Sequence, residues 1–238
     1  MYLNRLNARL ACMGALAVLV AGTGQASTIG NPAVAGTSVD TCNGCTFLLL
    51  QPFPISDVGF SVTSYSLYAY QAGNKITPLI FTLSGGNYLV SGVGTTETIA
   101  STGAQTYSFG LTDGSSLVGV ATYFGYRDGT VSTGTGTGPA NDTIAFSSPG
   151  SGALIQYFGS AGYGTSPNIY VGESFNPAGG TTVAGGPEPG GLPYTSQTLP
   201  RIYSLDATAA TATVPEPGAI SLVLGGVFLL CAGRRKRA

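Results

Sequence analysis

Glu97 and Glu173 are the residues with which this chain could do acid–base chemistry. A pair of carboxyl groups flanking a glycosidic bond can supply a general acid and a nucleophile or base. Neither glutamate stands in a recognisable local signature, and a solvated acid at a strand end is the plainer role for each. No histidine occurs anywhere in the 238 residues. That removes Ser-His-Asp and Cys-His nucleophile activation, histidine general-base catalysis and most zinc and non-haem iron sites. The composition points away from an enzyme.

Of the four cysteines, Cys12 and Cys231 fall in apolar runs at the two ends, which leaves Cys42 and Cys45 in "CNGC". Asn43-Gly44 lets the backbone turn tightly enough to close so small a loop. A redox CxxC opens a helix that lowers the thiol pKa, whereas this one leads into "TFLLLQPF", which reads as a strand. A structural disulfide between Cys42 and Cys45 is therefore expected. Asp113-Gly114, Asp128-Gly129 and Asn141-Asp142 carry turn chemistry, in which the side chain bonds its own backbone. Turn capping is their expected role. Calcium could use the same oxygens, with Asp113, Asp128 and Asp142 as candidate ligands, although no EF-hand or repeated Asp pattern is present. Tyrosine is plentiful at 13, including Tyr65, Tyr68, Tyr70, Tyr123, Tyr126, Tyr157 and Tyr163, but tryptophan, the strongest sugar-stacking side chain, is absent. Three spaced threonines in "TGTGTG", 133–138, fall short of the long flat array that an ice-binding surface needs.

These groups must be positioned by a body of unusual charge. The formal net charge is −1, yet Arg5 and Arg9 precede one apolar run and Arg234, Arg235, Lys236 and Arg237 follow another. Between them only Lys75, Arg127 and Arg201 face nine acids, leaving the body at −6. No basic nucleic-acid footprint exists. The apolar stretch 10–22 after a short basic segment, with Gly24 and Ala26 at the small-residue positions, predicts a signal peptide over 1–26, cut by signal peptidase before Ser27.

From 46 to 207 short β-branched and aromatic runs alternate with Gly, Asn, Asp, Ser or Pro. About ten strands at this spacing predict one all-β domain, a β-sandwich or jelly roll over 27–207. "SLVGVATYFGYRDG" has two apolar or small faces and reads as a central strand. "YAYQAGNKITPLIF" reads as a hairpin turning at Gly73-Asn74, with Pro78 marking an edge strand or a bulge. Residues 132–142 and 176–200 are Gly- and Pro-dense and read as loops. "TAATATV", 208–214, reads as a linker.

The chain closes on "PEPGAISLVLGGVFLLCAGRRKRA". Its apolar run, Ala219–Gly233, has 15 residues; as a helix it would be about 22 Å long against a hydrocarbon core of roughly 30 Å. It is a poor permanent anchor. The cations that follow mark the cytoplasmic side, as Arg5 and Arg9 do at the other end, so the body is expected outside the inner membrane. Pro215-Glu216-Pro217, the apolar helix 219–233 and the basic tail 234–237, in that order, resemble a PEP-CTERM sorting signal, a segment also catalogued as an ice-binding protein C-terminal domain. Pro187-Glu188-Pro189 repeats the triplet without the two parts that must follow it. The resemblance covers 215–238 and implies an exported Gram-negative protein. Its precursor would be tethered to the inner membrane, and its tail cleaved near the triplet by an exosortase. The product would reach the cell surface or the medium, in association with exopolysaccharide. A non-enzymatic envelope or matrix protein is the function expected, with a carbohydrate-binding module and a glycan-active enzyme as alternatives.

Overall fold

A computed structural model of the chain describes residues 25–39, 45–128, 144–147, 152–160, 169–181, 193–199 and 201–211. Nearly all of the expected leader, the whole segment 215–238 with its apolar helix and basic tail, Cys42, Asp142 and the loop 132–142 lie outside the described residues. Among the described residues no helix is long and apolar enough to cross a membrane.

The described chain is almost entirely strand. In order these are β1 (Ala26–Gly30), β2 (Ser38–Val39), β3 (Thr46–Leu49), β4 (Ser61–Ala69), β5 (Lys75–Ser84), β6 (Asn87–Gly94), β7 (Glu97–Thr98), β8 (Gly103–Ser108) and β9 (Leu111–Gly114). They continue with β10 (Thr122–Asp128), β11 (Ala145–Ser147), β12 (Ile155–Ser160), β13 (Ser174–Phe175), β14 (Gly180–Thr181), β15 (Pro193–Leu199), β16 (Ile202–Tyr203) and β17 (Leu205–Ala210). One 3-10 turn, Ile55–Asp57, breaks the pattern. The strands pair antiparallel in three sheets: β1-β17-β4-β8, β16-β11-β2, and a large sheet β13-β6-β5-β10-β3-β12-β15-β14 with β7 beside β5 and β9 beside β6.

Burial follows side-chain parity. In β4 the side chains of Val62, Tyr65, Leu67 and Ala69 are buried while their neighbours are exposed or half-buried, the mark of a sheet with one wet face. They join Phe47 and Leu49 of β3, Ile76 and Ile80 of β5, and Phe124 and Tyr126 of β10 in one core, so the four-stranded and large sheets share it. Phe47 is the hub, stacked on Tyr126 at 4.9 Å and tilted against Tyr157 and Tyr203 at 5.5 and 5.3 Å. The opposite face of the large sheet carries a second core of Leu48, Leu79, Phe81, Tyr88, Val90, Phe158 and Phe175. Each residue of β3 is accordingly buried.

Several sequence expectations need correction. β10, the expected central strand, does lie between β5 and β3, but it begins at Thr122; Leu117 and Val120 precede it on an exposed turn. β4 and β5 are not a hairpin. They belong to different sheets, and the link through Gly73 (φ 89°) carries the chain from one layer to the other. Pro78 sits in an interior strand, not at an edge, and the β5–β6 register shifts between Ile80 and Phe81, two residues on. The missing N–H of Pro78 is tolerated because β5 changes partner there, from β7 at Ile76 to β6 at Leu79. Within 176–200, read as a loop, Pro193–Leu199 forms β15 and pairs along the whole of β12. β13 is only Ser174–Phe175, paired with Leu89 and Tyr88 of β6. Finally, Thr208–Ala210, assigned to the linker, belong to β17.

Candidate ligand-binding face

The outward face of the four-stranded sheet is built by register. Thr28, Thr208, Ser64 and Ser108 stand opposite one another across β1, β17, β4 and β8, and Asp206, Ser66 and Thr106 form the next row. A bulge between Thr208 and Ala209 inserts one extra residue in β4, and Thr63 joins the same face. Their inward neighbours Ile29, Val62, Tyr65, Leu67, Leu205, Ala207 and Ala209 are all core. Tyr68, half-buried, continues the face along β4.

The hydroxyls bond one another and leave capacity over. Thr28 and Thr208 share a hydrogen bond of 2.9 Å between their Oγ1 atoms, Ser66 and Thr106 one of 3.1 Å, and the Thr63 hydroxyl donates to the Thr208 carbonyl at 3.3 Å. Each hydroxyl can donate once and accept twice, so every pair retains free valences toward solvent. Asp206 is the one acid in the two rows. Burial pushes its carboxyl above the usual value, against hydrogen bonds from the Ser66 side chain and backbone that pull it down. The result is a hydroxyl-lined surface with one carboxylate and one phenol, suited to exchanging hydrogen bonds with a polyhydroxylated ligand.

Beneath it Tyr65 is buried, its ring stacked on Tyr107 at 5.4 Å and tilted against Phe124 at 5.7 Å. Tyr107 donates its hydroxyl to Gln105. The Tyr65 hydroxyl has no hydrogen-bond partner. Burial, then the charges of Glu97 and Tyr107, push its pKa far above the usual tyrosine value.

The sequence candidates are scattered. Glu97 pairs with Ile76 at one end of β5 and Glu173 bonds Val90, opposite Phe81. Five residues of β5 separate those rungs, about 16 Å along the strand, and Glu173, buried and bonded through its backbone carbonyl to the Val90 N–H, is not the solvated strand-end acid expected. Asp113 lies exposed in β9, its Oδ1 accepting the Gly114 N–H at 2.8 Å, as a turn cap would. Asp128 is buried at the end of β10, its N–H bonded to the Cys45 carbonyl. The order β9-β6-β5-β10 puts three strand spacings, about 14 Å, between these two aspartates. No group of three or more Cys, Asp or Glu that could hold a metal gathers among the described residues. Cys45 is disulfide-bonded and its sulfur accepts the Tyr157 hydroxyl at 3.4 Å. Sequence reasoning missed the hydroxyl face altogether. Its signal was the polar parity of "SVTSYSLYA" and "LDATAA".

No known family matches the chain, and neither a curated protein nor a solved structure is similar to it.

Proposed function

We propose that this chain is a non-enzymatic exported envelope or matrix protein: a β-sandwich, sorted by a PEP-CTERM-type C terminus and cut there by an exosortase, whose hydroxyl face meets exopolysaccharide. The register-built rows Thr28-Thr208-Ser64-Ser108 and Asp206-Ser66-Thr106 carry the polysaccharide part. The disulfide at Cys45 supports export, because such bonds persist in oxidising compartments. The three-part tail supports sorting. A role as a dedicated carbohydrate-binding module rests on the same face and differs only in affinity.

Affinity electrophoresis through gels containing neutral polysaccharide tests the face. The native chain is expected to be retarded, and Ser64→Lys with Thr106→Lys, both on the solvent side, to migrate as in an empty gel. Equal retardation of native and variant chains would remove the face from the proposal. Intact-mass measurement of the exported protein tests the sorting: the expected product begins at Ser27 and ends near Pro215-Glu216-Pro217. A mature chain that still ends at Ala238 would overturn it.

A further inference from the structure

Nine large hydrophobic residues are exposed among those described, and five of them gather at one end of the body. Ile55 and Val58 lie on the segment leading into β4, Leu117 and Val120 on the segment leading into β10, with exposures of 76, 46, 57 and 66 %. The two segments are tied together: Gly59 N–H bonds the Val118 carbonyl, Val118 N–H bonds the Phe60 carbonyl, and Ser61 bridges Leu117. Leu83 joins them through its N–H to the Ala121 carbonyl.

Nothing charged is presented there by these segments. The one acid of 53–60 and 115–121, Asp57, is buried, with Ser56 donating to its Oδ1. The turn at Val120-Ala121 is also chemically odd. Ala121 alone among the described non-glycine residues has a positive φ, 55°, in a place where Gly or Asn would cost less. Ala121 is held in this turn against its backbone preference, next to the exposed Val120, which points to a use for the turn.

Register shows which strand ends share this end of the body. Ser61 pairs with Ala210, and Ala210 with Ala26. The two points where the chain leaves the strands therefore lie within two strand spacings, about 10 Å, of the strand end that bears the apolar segments. From Ala26 the chain leads back to the apolar run 10–22, and from Ala210 on to the apolar run beginning at Ala219. The eight residues 211–218 reach at most about 29 Å when fully extended.

We propose that this end, with Ile55, Val58, Leu83, Leu117 and Val120, rests on the lipid bilayer while the C-terminal segment is inserted. The inference depends on the proposed membrane insertion of that segment and extends it, because the strand from which the chain continues toward that segment ends at the apolar end of the body. Side chains at such a contact sit about 5–10 Å into the boundary between headgroups and acyl chains.

The chain has no tryptophan, so a single introduced indole is a silent-background reporter. The chain from Ser27 to Ala238 with Val120→Trp, or with Leu117→Trp should the first disturb the turn, is reconstituted into phosphatidylethanolamine and phosphatidylglycerol vesicles. Ala72→Trp, in the exposed link at the other end of β4, is the comparison. The expected result is a blue shift and quenching by brominated lipid for the tip reporters, stronger for bromines near the glycerol than near the chain end, with Ala72→Trp unaffected. Flotation with the vesicles without quenching of either tip reporter overturns the inference and leaves membrane insertion standing. Failure to float overturns both. A blue shift without vesicles that grows with protein concentration overturns it in favour of a second copy of the chain.

Discussion

Tyr65→Phe should make this protein more stable, although it deletes a polar group from a strand at the centre of the core. The aromatic contacts with Tyr107 and Phe124 depend on the ring and survive the change. What is lost is a buried hydroxyl without a hydrogen-bond partner, and such a group costs about 1–3 kcal/mol in lost hydration. At the low end of that range, urea unfolding at pH 7 should show the variant more stable by about 1 kcal/mol with an unchanged m value. For a body of this size the melting temperature should rise by about 2–4 °C.

Alkaline pH separates this cause from ordinary repacking. The pKa of Tyr65 is raised in the folded state, so the unfolded chain gives up this proton near pH 10 while the folded chain keeps it. The stabilising contribution is whole below that pH and is lost as pH rises toward the folded value, at up to about 1.4 kcal/mol per unit. Tyr65→Phe removes that slope, so its advantage over the native chain should widen above pH 10. A variant less stable at pH 7 would mean that the hydroxyl is satisfied. Parallel stability curves from pH 9 to 11 would mean that it is not withdrawn from water.

Gly125→Ala should destabilise the large sheet by at least about 1–3 kcal/mol, because a Cβ there would press into the Phe47 carbonyl and the Phe81 ring; chemical unfolding reads it directly. Asp206→Asn should flatten the pH dependence of stability above the ordinary carboxylate value: the raised folded pKa means that the native chain loses stability as pH climbs from that value through the folded one. Reduction of the disulfide at Cys45, if it closes the four-residue loop to Cys42, should cost about 2 kcal/mol, measurable as a shift of the urea midpoint with and without reductant.

How much of this was legible in the sequence depended on which force held each element. β3, β4, β5 and β10 are driven by burial of large apolar side chains, and their runs of Phe, Leu, Ile and Tyr announce them. β17 was cut short in the reading because Ala207 and Ala209 are small, yet both are fully buried between strands that approach closely. The alternation of "LDATAA" carried the information that residue size hid. β15 has little apolar character and exists through its ladder with β12, a long-range partnership that no local window contains. The exchange of a hairpin for a crossing at Gly73-Asn74 has the same origin: the turn residues were read correctly, and the sheet to which β4 belongs was decided by partners over 100 residues away in β17 and more than 30 away in β8.

The composition and the hydroxyl face explain one another. Antiparallel sheets usually solvate an outer face with Lys and Glu, but only 8 % of this chain is charged, and the four-stranded sheet wets its outer face with Ser and Thr. Charges hold water tightly, and stripping them costs far more than stripping hydroxyls. A neutral, polyhydroxylated chain laid on this surface therefore displaces water at low cost and replaces its hydrogen bonds in kind, whereas on a Lys-Glu face it would leave ions unsolvated. The same logic fixes the sign of the lysine test. A charge placed at Ser64 or Thr106 should leave the sheet intact and abolish retention, because it adds a tightly held hydration shell that a neutral ligand would have to strip. It also separates the two surfaces of the body: the hydroxyl face suits a polar ligand that trades hydrogen bonds, and the tip bearing Ile55 and Val120 suits a phase that has none to trade.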